Sequence, residues 1–182
     1  MKKTDLITTL VLLLSAGCAT TPQEVQRRYF WPLPPETPRI EFVASYWSAD
    51  DFPTTARRRL LESTTGVEAA RGFEKPWGIT SNGEGKVYIV DTNQQAVVVF
   101  DLKSHTVDII GKGELGGLFR VPVGVALDAS GNIYVSEPRM NRVYSFTKDE
   151  KPLIAIGDDT TLNWPTGLAV DDVMGRIYVV NG

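Results

Sequence analysis

Cysteine and histidine are nearly absent from this sequence, whose 182 residues contain one of each, Cys18 and His105. A lone cysteine has no partner for an internal disulfide. Two such residues also cannot supply the ligands of a cysteine–histidine zinc cluster. His105 stands just before a predicted outer strand, where we expect a surface position, so the sequence does not predict a serine–histidine–aspartate catalytic set.

An excess of positive charge is also lacking, since the formal net charge is −3. This balance gives no basic surface for nucleic acid, and we expect no nucleic-acid partner. The apolar run near the N-terminus, Leu6–Leu14, is too short to span a bilayer comfortably. Neither nucleic-acid binding nor a membrane-spanning role is therefore indicated.

The N-terminus has the pattern of a secretory signal. Lys2 and Lys3 precede the apolar run, and the small residues Ser15, Ala16 and Gly17 follow it. The end of this segment, LSAGC, resembles a bacterial lipobox, which implies cleavage before Cys18 and lipid on its sulfur. Several acyl chains together anchor a protein stably to a membrane. The alternative is an ordinary signal with a chance cysteine.

We therefore predict a signal peptide over residues 1–17 and an exported, lipid-anchored protein whose membrane partner is reached through Cys18. Ala19, and not aspartate, follows the cysteine. By resemblance to lipoprotein sorting signals, this implies the periplasmic face of the outer membrane if the cell is Gram-negative.

Residues 18–39 predict a stiff tether, because Pro32, Pro34, Pro35 and Pro38 favour extended backbone and exclude a helix. The aromatic cluster Tyr29–Trp31 within it either binds a partner or packs onto the domain that follows.

Residues 40–72 predict one isolated strand, Ile40–Tyr46, and then a short helix over residues 54–63. The basic run Arg57–Arg59 in that helix either meets acidic lipid or a partner, or forms a solvated helix face.

A repeated pattern fills residues 73–182. Copies begin at Pro76, Pro122 and Pro165, spaced by 46 and 43 residues. Each copy has a glycine two residues after its proline and an aspartate or asparagine six residues after it. A second glycine and a strand that bears a tyrosine come next. The first two copies continue into two further β-type runs, so the unit has four short strands.

Four short antiparallel strands at a period in the forties predict an all-β fold of β-propeller blades. Residues 73–182 supply two complete blades and about half of a third. Closed propellers have about four to eight blades, so we expect this chain to be the N-terminal part of a longer propeller. If the short chain exists alone, we expect open, adhesive faces and unpaired strand edges.

The phrases VPVGVALDASGNIYVSEPRMNRVYSF and KPWGITSNGEGKVYIVDTNQQAVVVFD resemble NHL repeats. The resemblance covers residues 72–182 and implies a six-bladed propeller. The segment WPLPPETPRIEF, with the arginine-rich stretch after it, is also similar to exported bacterial propeller lipoproteins. A fold shared by many activities does not by itself identify one of them.

Three polar residues occupy equivalent places directly after the second strand of each copy: Asp91, Glu137 and Asn181. Equivalent places in adjacent blades lie around one rim, where oxygen ligands from several blades would suit Ca²⁺. This arrangement resembles that of lactonase-type propellers, in which acidic and amide side chains converge on a metal. The alternative is that each side chain organises the turn that follows its strand. No other cofactor is indicated.

Two classes of function remain open. The regular repeats, without an evident catalytic set, favour a non-catalytic envelope scaffold that binds a protein, peptide or glycan on the propeller face. The other class is a metal-assisted hydrolase resembling a lactonase, whose remaining site residues would lie in further blades. Propeller lyases that depend on histidine are a poor match for this portion of the chain.

Overall fold

The computed structural model describes residues 28–52, 72–112 and 115–182. The predicted signal peptide, Cys18, the first part of the tether and the predicted helix over residues 54–63 lie outside these ranges. The described chain divides into two compact units, with the boundary between Ala44 and Ser45. No helix in the described ranges is both long and apolar enough to cross a membrane.

The first unit contains a small hairpin in which β1 (Tyr29–Trp31) pairs antiparallel with β2 (Ile40–Phe42). Arg28 and Glu41 form an ion pair across it, at 2.5 Å between Nε and Oε1. The prediction of an isolated strand over residues 40–46 is therefore wrong. Strand β2 is shorter than predicted, and its partner β1 lies within residues 18–39, which were predicted to form a tether.

The first blade is a four-stranded antiparallel sheet whose strands lie in sequence order. Valines and aromatic residues fill its two middle strands, as expected for positions with neighbours on both sides. Its strands are β3 (Pro76–Ser81), β4 (Lys86–Asp91), β5 (Ala96–Asp101) and β6 (Thr106–Ile110).

The second blade repeats this arrangement, and the third copy forms a two-stranded sheet. The all-β fold of four-stranded blades and the incomplete third blade are thus confirmed. The strands of the second blade are β7 (Val125–Leu127), β8 (Ile133–Glu137), β9 (Arg142–Phe146) and β10 (Pro152–Ile156). The third sheet pairs β11 (Leu168–Asp171) with β12 (Arg176–Val179). Short 3-10 turns span Ala49–Asp51 and Pro138–Met140.

The main core lies between the first and second blades, where alternate side chains of both sheets meet. Phe119, on the connection between the blades, is fully buried and packs edge-on against Tyr144, with 5.9 Å between ring centroids. The buried core residues of the two sheets include Val90, Val97, Val99, Ile133, Val135 and Phe146.

The opposite face of the first blade carries a second cluster, formed by Ile89, Val98 and Phe100 with Phe52. The ring centroid of Phe52 lies 5.6 Å from that of Phe100. The segment that precedes the repeats therefore covers part of this face.

In the first two copies, the glycine two residues after the proline lies where neighbouring inner strands approach closely. A Cβ atom on Gly78 would lie 2.5 Å from the carbonyl oxygen of Val123 in the next blade, and one on Gly124 would overlap the carbonyl oxygen of Thr166. Only a residue without a side chain fits there. This close approach accounts for the glycine at this place in the first two copies of the repeat.

Candidate functional site

The three predicted rim residues occupy equivalent positions in their sheets. Asp91 ends β4, Glu137 ends β8, and Asn181 follows β12 by two residues. Asp91 and Glu137 are completely buried. Each of the three accepts hydrogen bonds from backbone N–H groups in the segment that leads into its own sheet, so each belongs to its own copy of the repeat.

Asp91 accepts hydrogen bonds from four backbone amides. The amides of Glu74 and Lys75, just before the first strand of the blade, donate to its carboxylate at 2.7 and 3.1 Å. The amides of Asn93 and Gln94, just after it, donate at 3.1 and 3.0 Å. The carboxylate therefore joins the start of β3 to the turn after β4.

Glu137 makes the same connection in the second blade. The amides of Arg120 and Val121 donate to its carboxylate at 2.8 and 2.9 Å, and the amide of Arg139 donates at 3.1 Å. In the third sheet, the amide of Asn163 donates to Oδ1 of Asn181 at 2.6 Å. We call the bonds of Asp91 and Glu137 the carboxylate clasp. The side-chain amide oxygen of Asn181 takes the corresponding place in the third sheet.

The clasp uses oxygen atoms that a metal ion would need. Buried carboxylates are tolerated when hydrogen bonds satisfy them, and backbone amides do so here. Within the ranges that the structure describes, no three Asp, Glu, His or Cys side chains are placed to hold a metal ion together. The geometry supports the turn-organising interpretation of these residues, and Ca²⁺ binding stays a prediction.

Two hydroxyl groups next to the clasp connect neighbouring sheets. Thr92 donates to the carbonyl oxygen of Pro122 at 2.8 Å, which joins the first blade to the second. Ser136 donates to the carbonyl oxygen of Thr166 at 2.5 Å and accepts from the amide of Gly124 at 2.8 Å. These links were not predicted from the sequence, although both hydroxyls lie within one residue of a clasp carboxylate.

His105 lies in the turn between β5 and β6 and is exposed, as predicted. Its ring packs against Phe52, with 5.5 Å between ring centroids.

A polar cleft of about 640 Å³ opens between the blades on the side of the β3–β4 and β7–β8 hairpins. We call it the hairpin cleft. Residues 81–88 line it from the first blade and residues 127–131 from the second, and Lys148, Asp149 and Asp172 line it as well. Its lining is mostly polar, in contrast to the apolar interface beneath it. This cleft was not predicted from the sequence, since its walls come from two different copies of the repeat.

An ion pair joins the two blades at this cleft. Nζ of Lys86 lies 3.3 Å from Oε1 of Glu150. Burial lowers the pKa of Lys86, but the charge and the hydrogen bond of Glu150, with smaller contributions from Tyr88 and Asp108, together raise it above the usual value. Burial also raises the pKa of Glu150, and Lys86 offsets part of that rise. The pair is held in a partly desolvated place, where charges interact more strongly than in water.

No protein-family model matches this chain. Among solved structures, a streptogramin B lyase is similar with a TM-score of 0.50 and 19% identity, over 58% of this chain and 34% of its own. A luciferin-regenerating enzyme is similar with a TM-score of 0.50 and 18% identity, over 62% of this chain and 39% of its own. The described sheets are blades of a β-propeller. At these identities the likeness shows the fold alone, and the chain spans little more than a third of the length of either structure.

Proposed function

We propose that this chain is part of an envelope-anchored β-propeller of the NHL-repeat type that binds a protein, peptide or glycan without catalysis. The observation that carries the proposal is the contrast between the two polar features of the blades. The carboxylate clasp is engaged by backbone amides, whereas the hairpin cleft is open and lined by polar side chains. Polar groups that converge on an open concave surface are suited to recognition.

The proposed lipid anchor rests on the sequence pattern around Cys18, and one substitution tests it directly. Cys18→Ala removes the atom that would carry lipid, so the variant should leave the membrane fraction and appear in the soluble fraction of the envelope. Immunoblotting of fractionated cells measures this. Membrane retention of Cys18→Ala would show that the lipoprotein part of the proposal is wrong.

One experiment on the full chain distinguishes ligand binding without catalysis from metal-assisted hydrolysis. The protein is applied to peptide and glycan arrays, and a panel of lactones is incubated with it in the presence and absence of Ca²⁺. We expect saturable binding to one ligand class and no turnover of any lactone. Turnover that depends on Ca²⁺ would instead assign the chain to the metal-assisted hydrolases.

Removal of metal gives an independent test. Because a metal bound only to the folded state raises the melting temperature, a chelator should lower that temperature in a metalloprotein. We expect no change for this chain. A drop of several degrees that Ca²⁺ reverses would contradict the non-catalytic proposal and support a metal site.

A further inference from the structure

The β1–β2 hairpin of the first unit has two unlike faces. Tyr29 lies opposite Phe42, and Trp31 lies opposite Ile40. Because side chains alternate along a strand, these four share one face of the hairpin. All four are between 46% and 65% exposed, and the rings of Tyr29 and Phe42 meet edge-on with 6.3 Å between their centroids. We call these four side chains the aromatic face.

The opposite face of the β1–β2 hairpin is polar, and its groups contact one another. Arg28 donates to both carboxylate oxygens of Glu41, the second bond being 2.9 Å between Nη2 and Oε2. Its guanidinium carbon also lies 4.9 Å from the ring centroid of Phe30. The hairpin is thus amphipathic. Because two strands alone cannot enclose a core, the aromatic face depends on another surface for its burial.

The distance along the chain to the proposed lipid anchor indicates which surface this is. Cys18 precedes Arg28 by ten residues. Ten residues of fully extended chain span at most about 36 Å, so lipid on Cys18 would keep the β1–β2 hairpin near the membrane whatever path the chain takes. The composition of the aromatic face agrees with this, because tryptophan and tyrosine concentrate at bilayer interfaces, where one end of the ring is apolar and the other is wet.

We propose that the aromatic face of the β1–β2 hairpin docks on the surface of the lipid bilayer, with its rings in the interfacial layer. The contact is apolar and needs no anionic headgroup. The inference rests on the proposed lipid anchor and adds a second membrane contact to it. Four partly exposed side chains bury less apolar surface than an acyl chain, so the hairpin alone should bind more weakly than the ~10⁴ M⁻¹ of one myristoyl group. Cys18→Ala is therefore still expected to leave the membrane fraction.

The test uses the processed chain without its acylated residue, residues 19–182, and neutral phosphatidylcholine vesicles, so that neither lipid anchor nor net charge contributes. Flotation over a series of lipid concentrations gives the partition coefficient. Trp31→Ala should lower this coefficient about fivefold, since roughly half of a large apolar side chain is no longer buried. Trp164→Ala is the matched control and should equal the wild type, because Trp164 is 52% exposed against 49% for Trp31 and lies between β10 and β11.

A second measurement locates the contact, since lipids with brominated acyl chains quench tryptophans that enter the bilayer interface. Trp31→Phe keeps a ring on the aromatic face, so it should retain most of the binding but lose the quenching, whereas Trp164→Phe should retain both.

The inference is overturned if the wild type does not partition at millimolar lipid, if Trp31→Ala and Trp164→Ala partition equally, or if quenching survives in Trp31→Phe. The aromatic face would then be a surface for contact with protein. Acylation is measured separately by the fractionation of Cys18→Ala, so failure of the docking and failure of the anchor are distinguishable.

Discussion

A buried carboxylate destabilises a protein unless hydrogen bonds replace its water, and Glu137 shows how three backbone amides do this. Glu137→Gln keeps the shape of the side chain but puts an NH₂ group where amide donors converge. We expect the free energy of unfolding to fall by about 2–3 kcal/mol, the range for a lost charge-assisted bond and an unpaired buried donor. Urea unfolding followed by circular dichroism measures the change.

Asp149→Asn is the control for that measurement, because it removes a carboxylate that is exposed and accepts no bond from described residues. Its effect should stay within about 0.5 kcal/mol, as for most surface substitutions. An equal loss in the two variants would mean that the clasp contributes no particular stability. The calcium interpretation of Glu137 would then regain weight.

The contribution of Asp158 to folding stability is expected to depend on pH. The hydroxyl of Thr160 donates to its Oδ1 at 2.6 Å, and Thr161 adds further bonds to the same atom. These bonds lower the pKa of Asp158 from 3.8 to about 2. A carboxyl whose pKa is lower in the folded state stabilises that state above its unfolded pKa, and the contribution is lost as the pH falls through the folded pKa.

We therefore expect the stability difference between the wild type and Asp158→Asn to be constant from neutral pH down to about pH 5. It should shrink between about pH 4 and pH 2, where the wild-type carboxyl becomes protonated. Denaturant unfolding at a series of pH values measures it. A difference that does not change across the acid range would show that these bonds do not distinguish the charged carboxylate from an amide.

At the scale of the element, the repeat made most of the blades predictable. Proline, glycine and aspartate or asparagine at fixed offsets determine the turns, and alternating apolar residues determine the buried faces. The copies that begin at Pro76 and Pro122 therefore each predict four strands. The β1–β2 hairpin was missed because its pairing joins residues on either side of a proline-rich segment. Local preference in that segment indicated extended backbone but could not indicate a partner.

The candidate site was less predictable than the fold for a related reason. Asp91, Glu137 and Asn181 stood out because they recur, but recurrence reports a structural role as readily as a functional one. The pair Lys86–Glu150 is separated by 64 residues and forms only when two blades pack. A local difference between the copies is the aspartate at Asp128, which accepts a hydrogen bond from the hydroxyl of Tyr134 at 3.0 Å, where the first copy has Asn82.

The glycines of the inner strands allow a matched test of blade packing. Gly124→Ala and Gly78→Ala introduce a Cβ against backbone of the next sheet, whereas a Cβ on Gly167 would meet only the side chain of Val180, at 3.2 Å. We expect the first two variants to lose about 1–3 kcal/mol in free energy of unfolding through overpacking. Gly167→Ala should lose clearly less. Similar losses in all three would point to backbone preference and not to the close approach of blades.

At the scale of the whole molecule, the packed and the open faces of the repeats can be compared. Tyr88 and Tyr178 are equivalent, yet Tyr178 is 51% exposed where Tyr88 is 2% exposed. On the first blade, the face away from the second blade leaves Ile79 68% exposed beside an apolar cavity of about 440 Å³. These two faces correspond to the two sides of the interface that the blades already form with each other.

We therefore expect the 182-residue chain, taken by itself, to self-associate as its concentration rises, because exposed apolar patches and unpaired strand edges favour contact between copies. Ile79→Lys places a charge on the open face of the first blade and should shift the population towards monomer. Val173→Lys is the matched control, since Val173 is 97% exposed in the β11–β12 turn and not on that face. Sedimentation velocity over a range of concentrations separates the outcomes. If the wild type stays monomeric at every concentration, the open faces of the first blade and the third sheet do not drive association between copies.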